Sequence, residues 1–264
     1  MVIPLLFCLL SCENGSKDPA TTPDVPEEQE ESLEFEPELE VLNFNYQYPK
    51  NILSNKESSV GENEFDPEIG FYPIGFSKTG LFAHLVRPCN GGCGCCQHDI
   101  FVQDLSTDKI VDIFHISNPD EGYDTETSHE VQWKRKYKLI KAFLMQYGIS
   151  QSPLSLNRKS YLFHNGNEYK FTHVGKEQEN PNSYYEMPEL KYKVFATMNE
   201  KHSRTVSRGT IEDAFDFSYI GFLKSPFNEK LVLVYDSRAA GFERETYFEA
   251  LTIGVTLEPK LFYR

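Results

Sequence analysis

Length, composition and charge narrow the classes to which this chain can belong. It has 264 residues, six cysteines and a formal net charge of −14. Residues 13–40 hold eleven acidic side chains against the single basic Lys17, so the acidity is concentrated there. The rest of the chain is only mildly acidic, and neither part is basic enough to predict a nucleic-acid partner.

The chain begins with a short apolar run, MVIPLLFCLLSC. A membrane-spanning helix needs about 20 apolar residues, so this run instead predicts a signal peptide over residues 1–11. Leu9-Leu10-Ser11-Cys12 resembles the lipobox of bacterial lipoproteins. The resemblance implies cleavage before Cys12 and a lipid on that cysteine. The alternative is a buried N-terminal strand that ends in a chance cysteine, and the lack of Lys or Arg before the run departs from the usual signal peptide.

Residues 12–40 form an acidic segment that four prolines interrupt. The segment has no apolar periodicity, so it cannot bury enough surface to offset the entropy of ordering. We therefore expect a lipidated cysteine, a disordered tether to residue 40, and a single extracytoplasmic domain over residues 41–264. The expected location is the cell envelope, where the lipid anchors the chain to a bacterial membrane. The outer membrane is the preferred prediction, and the domain would face the periplasm or the cell surface.

The domain is predicted to be mainly β (α+β), built of antiparallel hairpin units with one long amphipathic helix. Short runs in which apolar and polar residues alternate, bounded by Gly, Asn and Pro, are typical of strands. Such runs are Leu81–Val86, Asp99–Leu105, Lys109–Ile116, Ser160–Phe163, Glu168–His173, Lys191–Met198, Lys230–Asp236 and Phe248–Leu257. Asn165-Gly166 favours a tight hairpin turn between two of them.

Four cysteines crowd one loop between predicted strands, here called the Cys loop (residues 89–96). They are Cys89, Cys93, Cys95 and Cys96. Outside the cytoplasm this even number predicts two disulfides and no cofactor, with one bridge from Cys89 to Cys95 or Cys96. The alternatives are a reactive thiol or a metal site, because four thiolates, or three with His98, suit Zn²⁺ or Cu⁺.

One long helix is predicted to begin near residue 127. Thr127-Ser128-His129-Glu130 has the spacing of a capping box. The apolar positions that follow, at steps of 4, 3, 4 and 3, are Trp133, Tyr137, Ile140, Leu144 and Tyr147. Gly148 suits a left-handed cap at the end of the helix. The basic side chains off this stripe predict that the other side of the helix faces solvent, with an anion-binding or membrane-surface patch as the alternative.

A short motif occurs twice, as Tyr72–Lys78 (YPIGFSK) and as Ser218–Lys224 (SYIGFLK). Each copy leads into a predicted strand and then, across a loop, into another. The pattern resembles a blade of the propeller repeats in TolB-like proteins. Because a propeller needs at least four blades, two copies predict two similar hairpin units in one antiparallel assembly.

The order of the motifs resembles that of the bacterial "predicted secreted protein" family of unknown function. The resemblance rests on Ile74-Gly75-Phe76-Ser77 with Asp99–Leu105, on Gln146-Tyr147-Gly148-Ile149, and on Ala240-Gly241-Phe242-Glu243. It implies an extracytoplasmic protein with no established activity and supplies no catalytic residue. The Cys loop departs from the family pattern.

Sequence motifs of catalysis are scarce. The chain has no Walker loop, no Gly-x-Ser-x-Gly and no His-Glu-x-x-His. Glu243, Glu245, Tyr247 and Glu249 form a row that would suit acid–base hydrolysis, although a solvated strand face is the plainer interpretation.

Three functions remain open from the sequence. The preferred one is a non-catalytic binding or structural module of the envelope, with no catalytic residues and with a protein or glycan as partner. The second is a Cu- or Zn-binding lipoprotein that uses the Cys loop. The third is an acid–base hydrolase.

Overall fold

The structure is a computed structural model. It describes residues 46–52, 71–86, 89–90, 95–96, 98–116, 129–151, 154–180, 188–212, 214–240 and 246–263. All of these fall in one compact unit, Val41–Arg264. The predicted signal peptide, lipidation site and tether lie outside the described residues.

Within the described residues the chain is mostly β-strand with one α-helix, so the predicted mainly β (α+β) class is confirmed. The strands are β1 (Phe71–Ser77), β2 (Leu81–Val86), β3 (Cys89–Asn90), β4 (Cys95–Cys96), β5 (Asp99–Asp104), β6 (Lys109–His115), β7 (Ile149–Gln151), β8 (Tyr161–His164), β9 (Asn167–Gln178), β10 (Glu189–Met198), β11 (His202–Ile211), β12 (Ala214–Lys224), β13 (Lys230–Ala240) and β14 (Thr246–Thr256). Helix α1 spans His129–Gln146, and a 3-10 helix spans Pro259–Phe262.

The strands form three larger antiparallel sheets and one small strand pair. Sheet I has the order β6-β5-β2-β1-β7, sheet II the order β12-β13-β14, and sheet III the order β11-β10-β9-β8. The small pair joins β3 to β4. All the pairings are antiparallel, as the hairpin pattern of the sequence predicts.

The sheets and the helix stack in four layers because each interior sheet is apolar on both faces. Along β13, Val232 and Val234 pack with residues of sheet I, such as Phe82. The alternate residues Leu231 and Leu233 pack with residues of sheet III. Successive side chains of a strand point to opposite faces. The layers therefore run α1, sheet I, sheet II, sheet III, with an apolar core between each neighbouring pair.

Helix α1 covers the free face of sheet I through its predicted apolar stripe. Trp133, Ile140 and Leu144 are buried there against strand residues such as Ile74. The helix stops where Gly148 adopts a φ of +60°, as a left-handed cap requires. The predicted stripe and C-terminal cap are confirmed, whereas the capping box falls partly on residues that the structure does not describe.

The repeated motif is also a structural repeat. Three strands follow in the same order in each copy, β1-β2-β5 in sheet I and β12-β13-β14 in sheet II. Both first strands have a register shift at the shared glycine, Gly75 or Gly221. A Cβ on either glycine would collide with the backbone of a neighbouring segment, at Ser150 or Asn157. The prediction of two similar hairpin units is confirmed, and the units lie in two stacked sheets.

A half-buried carboxylate joins the three sheets at one edge. Asp108, in the turn between β5 and β6, accepts hydrogen bonds on Oδ1 from the Gly254 N–H (2.7 Å) and from Gln103 Nε2 (2.8 Å). Its Oδ2 accepts a hydrogen bond from the Ser207 hydroxyl at 3.2 Å. Gly254 belongs to sheet II and Ser207 to sheet III. Burial raises the pKa of Asp108, and the three hydrogen bonds oppose that rise.

Candidate binding face

The most unusual surface of the protein is the side of sheet III that faces away from sheet II. Inward-pointing residues of its strands, such as Tyr169, Phe171 and Val194, are buried in the core with sheet II. The alternate residues point the other way, and most of them are exposed. We call this second set the outer face.

The outer face is basic in a chain whose net charge is −14. Its six cationic residues, including one just before β8, are Lys159, Lys170, Lys176, Lys191, Lys193 and Arg208, and all are exposed. Within strands β8 to β11, its carboxylates are Glu168 and Glu189. Glu189 pairs with Lys191 at 3.3 Å. The face therefore carries a clear excess of positive charge.

Four of the cations form two like-charge pairs directly across the sheet. Lys176 on β9 lies opposite Lys191 on β10. Lys193 on β10 lies opposite Arg208 on β11. Residues in such positions have Cβ atoms about 4.5–5.5 Å apart, and like charges there destabilise a sheet. We call these four residues the cation block.

An exposed aromatic pair lies at the other end of the outer face. Tyr161 and Phe163 are on the edge strand β8, with ring centroids 6.0 Å apart in an edge-to-face arrangement. Phe163 is 68% exposed, the largest value among the exposed large hydrophobic side chains of the described residues. Lys159 Nζ lies 5.4 Å from the centre of the Tyr161 ring. An apolar ring so exposed is available to a ligand.

Hydroxyl groups fill much of the space between the cation block and the aromatic pair. The residues that carry them are Thr172, Thr197, Ser203 and Thr205, whereas Thr210 lies opposite Lys191 in the cation block. The Thr197 and Ser203 hydroxyls are hydrogen-bonded to each other at 3.1 Å. Hydroxyls both donate and accept hydrogen bonds. The outer face thus combines positive charge, hydroxyls and aromatic rings on one extended surface.

A second polar cluster lies near the end of β13. Arg238 Nε is 3.7 Å from Asp236 Oδ2 and 3.6 Å from Asp216 Oδ2. Asp236 is 8% exposed, and burial raises its pKa while Arg238 lowers it. Two carboxylates therefore share one guanidinium, which is typical of a structural ion-pair cluster. This cluster was missed from the sequence because only the register of β12 against β13 places Asp216 opposite Arg238.

A groove of about 760 Å³ lies between residues 46–51 and α1. Tyr48 packs edge-on against Trp133, with 5.8 Å between ring centroids. The Tyr46 hydroxyl donates a hydrogen bond to the Ile149 carbonyl, and burial raises the pKa of Tyr46 to about 12. Trp133 is only 2% exposed, so its ring belongs to the hydrophobic core and offers little surface to a ligand in the groove. The groove is where the N-terminal segment packs onto the helix.

The residues of the Cys loop are only partly described. The backbone register places Cys89 opposite Cys96 and Asn90 opposite Cys95. Facing positions on antiparallel strands suit a cross-strand disulfide between Cys89 and Cys96. The cysteine side chains and all of Cys93 lie outside the described residues, so the disulfide, thiol and metal interpretations stay predictions. His98, the fifth candidate ligand, is 1% exposed beside β5.

The other predicted site residues fall mostly outside the described part of the chain. Cys12 lies there, as do Glu243 and Glu245. Tyr247 and Glu249 are on β14, opposite Ala239 and Ser237, but their side chains are not described. The hydrolase hypothesis therefore stays a prediction.

Metal clusters, membrane-spanning helices and similar proteins are the remaining possible indications of a site. Among the described residues, no group of three or more His, Cys, Asp or Glu side chains is arranged to hold a metal ion. None of the described helices is both long enough and apolar enough to cross a membrane. No protein-family profile, curated protein or solved structure matches the chain. The resemblance to the "predicted secreted protein" family stays a prediction.

Proposed function

We propose that this chain is a non-catalytic binding module that a lipid on Cys12 anchors to the cell envelope, and that the outer face of sheet III is its binding surface. The observation that carries the proposal is the pair of like-charge contacts in the cation block, Lys176 with Lys191 and Lys193 with Arg208. Like-charge pairs of this kind do not stabilise the fold, so stability alone does not explain their presence.

The cost of these contacts supports a role in binding. Like charges directly opposite in a sheet destabilise it by a few tenths of a kcal/mol up to about 1 kcal/mol per pair. Among the described residues, Lys191 is the one member of the cation block that forms an ion pair with a carboxylate, that of Glu189. Local rules that a protein breaks without a gain in stability are typical of functional sites. An anionic partner would turn the repulsion into attraction when it binds.

The sequence features of the N-terminus support the location. A lipid on Cys12 would hold the chain to a membrane, since each buried CH₂ of an acyl chain adds about 0.8 kcal/mol. The acidic tether would let the domain reach partners at some distance from the bilayer. Neither feature requires catalysis.

Binding to isolated envelopes tests the proposal. The full chain with Cys12→Ala removes anchoring by the lipid, so sedimentation with envelope fragments then reports binding by the protein itself. Adding Lys193→Glu and Arg208→Glu reverses half of the cation block. We expect this variant to lose most of its sedimentation. The matched control is Lys138→Glu with Lys141→Glu, which makes the same change of net charge on α1.

The control on α1 separates a surface effect from a net-charge effect. If it sediments as the unreversed chain does, the loss belongs to the outer face. Equal sedimentation of both reversed proteins and the unreversed chain would refute the outer face as the binding surface. Membrane retention of the Cys12→Ala chain in detergent-phase partition would refute the lipid anchor.

A further inference from the structure

We infer that the ligand of the outer face is an acidic polysaccharide, a linear glycan with carboxylate groups along its length. This inference rests on the proposed function and specifies its partner. It follows from the three kinds of group that the face presents together, since each fits a different part of such a chain.

The cation block fits the repeated carboxylates. Directly opposite positions are about 5 Å apart, and Lys191 and Lys193, two residues apart on β10, are separated by roughly 6.5 Å. The cations thus recur at short intervals in both directions across the sheet. A polymer with a charge on successive units can engage several of them at once, which gains affinity through effective concentration.

The hydroxyls and rings fit the sugar units themselves. The hydroxyl-bearing side chains between the two ends of the face supply donors and acceptors for sugar hydroxyls. The exposed aromatic pair, Tyr161 and Phe163, offers apolar surface to the C–H face of a sugar ring. A partner with charged groups but no apolar surface would make no favourable contact with the Phe163 ring.

The dimensions and shape of the face favour an extended ligand. Lys170, which lies opposite Tyr161, is six residues from Lys176 along β9, a distance of roughly 20 Å. Neighbouring strands rotate by about 20–25°, so the four strands of sheet III turn through about 60–75°. A flexible chain can follow this twist, whereas a flat bilayer would contact only part of the face.

Fluorescence anisotropy with a labelled polyuronate oligomer tests the inference. The full chain is used in neutral detergent micelles, and the comparison probes are a neutral glucan of equal length, polyphosphate, single-stranded DNA and vesicles of anionic phospholipid. We expect the polyuronate to bind most tightly and to weaken several-fold as salt is raised, because the contacts are exposed to solvent.

Two variants separate the contributions of charge and ring stacking. Lys193→Gln with Arg208→Gln should weaken polyuronate binding by about tenfold, since each exposed charge contact contributes about three- to fivefold to the affinity. Phe163→Ala should weaken polyuronate binding by about three- to tenfold and leave polyphosphate binding unchanged. Phe227→Ala is the matched control, because Phe227 is 40% exposed and lies in the turn between β12 and β13.

The outcomes also separate this inference from the proposed function. Tighter binding of polyphosphate, DNA or vesicles than of polyuronate would overturn the glycan assignment while leaving an anion-binding face. A Phe163→Ala protein that binds polyuronate with unchanged affinity would overturn it as well. Failure to bind any of the probes, with envelope sedimentation intact, would overturn the glycan assignment alone. Failure of both assays would overturn the proposed function too.

Discussion

The buried histidine on β2 gives the fold a calculable sensitivity to acid. His84 is stacked against Phe82 and Phe101, with ring centroids 5.3 and 5.7 Å away. Its side chain is buried between sheets I and II. Nδ1 of His84 has no hydrogen-bond partner among the described residues. Burial therefore lowers the pKa of His84 from its ordinary value of 6.5 to about 3.

The lowered pKa sets both the sign and the size of the effect. Below pH 6.5 the unfolded chain binds a proton at His84, and the folded chain does not bind one until about pH 3. The contribution of His84 to stability is therefore complete above pH 6.5 and is lost as the pH falls toward 3. Each pH unit in this window costs about 1.4 kcal/mol, so the free energy of unfolding falls by about 3 kcal/mol at pH 4.

Replacement of His84 by phenylalanine isolates this contribution. His84→Phe keeps an aromatic ring between Phe82 and Phe101 and removes the titrating group. Urea unfolding of both proteins between pH 7 and pH 4 measures the difference. Asp108 and Asp236, whose pKa values are raised, are stabilising at low pH in both proteins and cancel in the comparison. We expect wild type to lose about 3 kcal/mol more than the variant, and parallel pH profiles would refute the reasoning.

Three further predictions concern the frame of the fold. Asp108→Ala should lower the free energy of unfolding by about 3 kcal/mol, because it leaves the buried Gly254 N–H without an acceptor and places Ala at a φ of +58°. Asp108→Asn should cost less than about 1 kcal/mol, since its amide oxygen can accept the two bonds that Oδ1 accepts and its NH₂ group can donate to the Ser207 hydroxyl. Equal losses in urea unfolding would contradict this account. Gly221→Ala should cost about 1–3 kcal/mol in thermal unfolding, because its Cβ would meet the backbone of Asn157, and a neutral effect would remove the close approach from the account. Mass spectrometry of the non-reduced chain should find no alkylatable thiols in the Cys loop, whereas four thiols or about one equivalent of Zn or Cu per chain would promote the metal hypothesis.

Strands with alternating apolar residues were predictable, and those that depart from that pattern were not. The predicted run Leu81–Val86 matches β2 residue for residue. β11 escaped prediction because polar residues occupy part of its inward face. Among them, Arg204 lies over the Phe262 ring at 4.7 Å and donates a hydrogen bond to the Thr256 carbonyl at 2.6 Å. Packing by a long polar side chain leaves no apolar alternation to detect.

β1 escaped prediction as a strand for the opposite reason. All seven of its residues, Phe71–Ser77, are buried, because sheet I is covered by α1 on one face and by sheet II on the other. A strand buried on both faces reads as a continuous apolar run. Pro73 and Gly75 also interrupt the run, and the structure has a register shift there within the strand.

The outer face was present in the sequence but needed strand register to be recognised. Lys191 and Lys193 alternate with apolar residues in ELKYKV, which is the pattern of a one-sided strand. Counting charge along the chain conceals this, since nearby acidic residues lower the total. Only the pairing of β9, β10 and β11 shows that cations from three strands meet on one face. Register depends on the whole sheet and is not a local property of the sequence.

One measurement tests the central claim most directly, and it is made on a single variant. In the proposed function, Lys193 and Arg208 lie opposite each other because both contact an anionic ligand, and their repulsion destabilises the sheet when no ligand is bound. Lys193→Gln should therefore raise the free energy of unfolding by a few tenths of a kcal/mol, to at most about 1 kcal/mol, and weaken binding to envelopes or polyuronate by about three- to fivefold. A Lys193→Gln protein that is less stable than wild type, or that binds with unchanged affinity, would contradict the account.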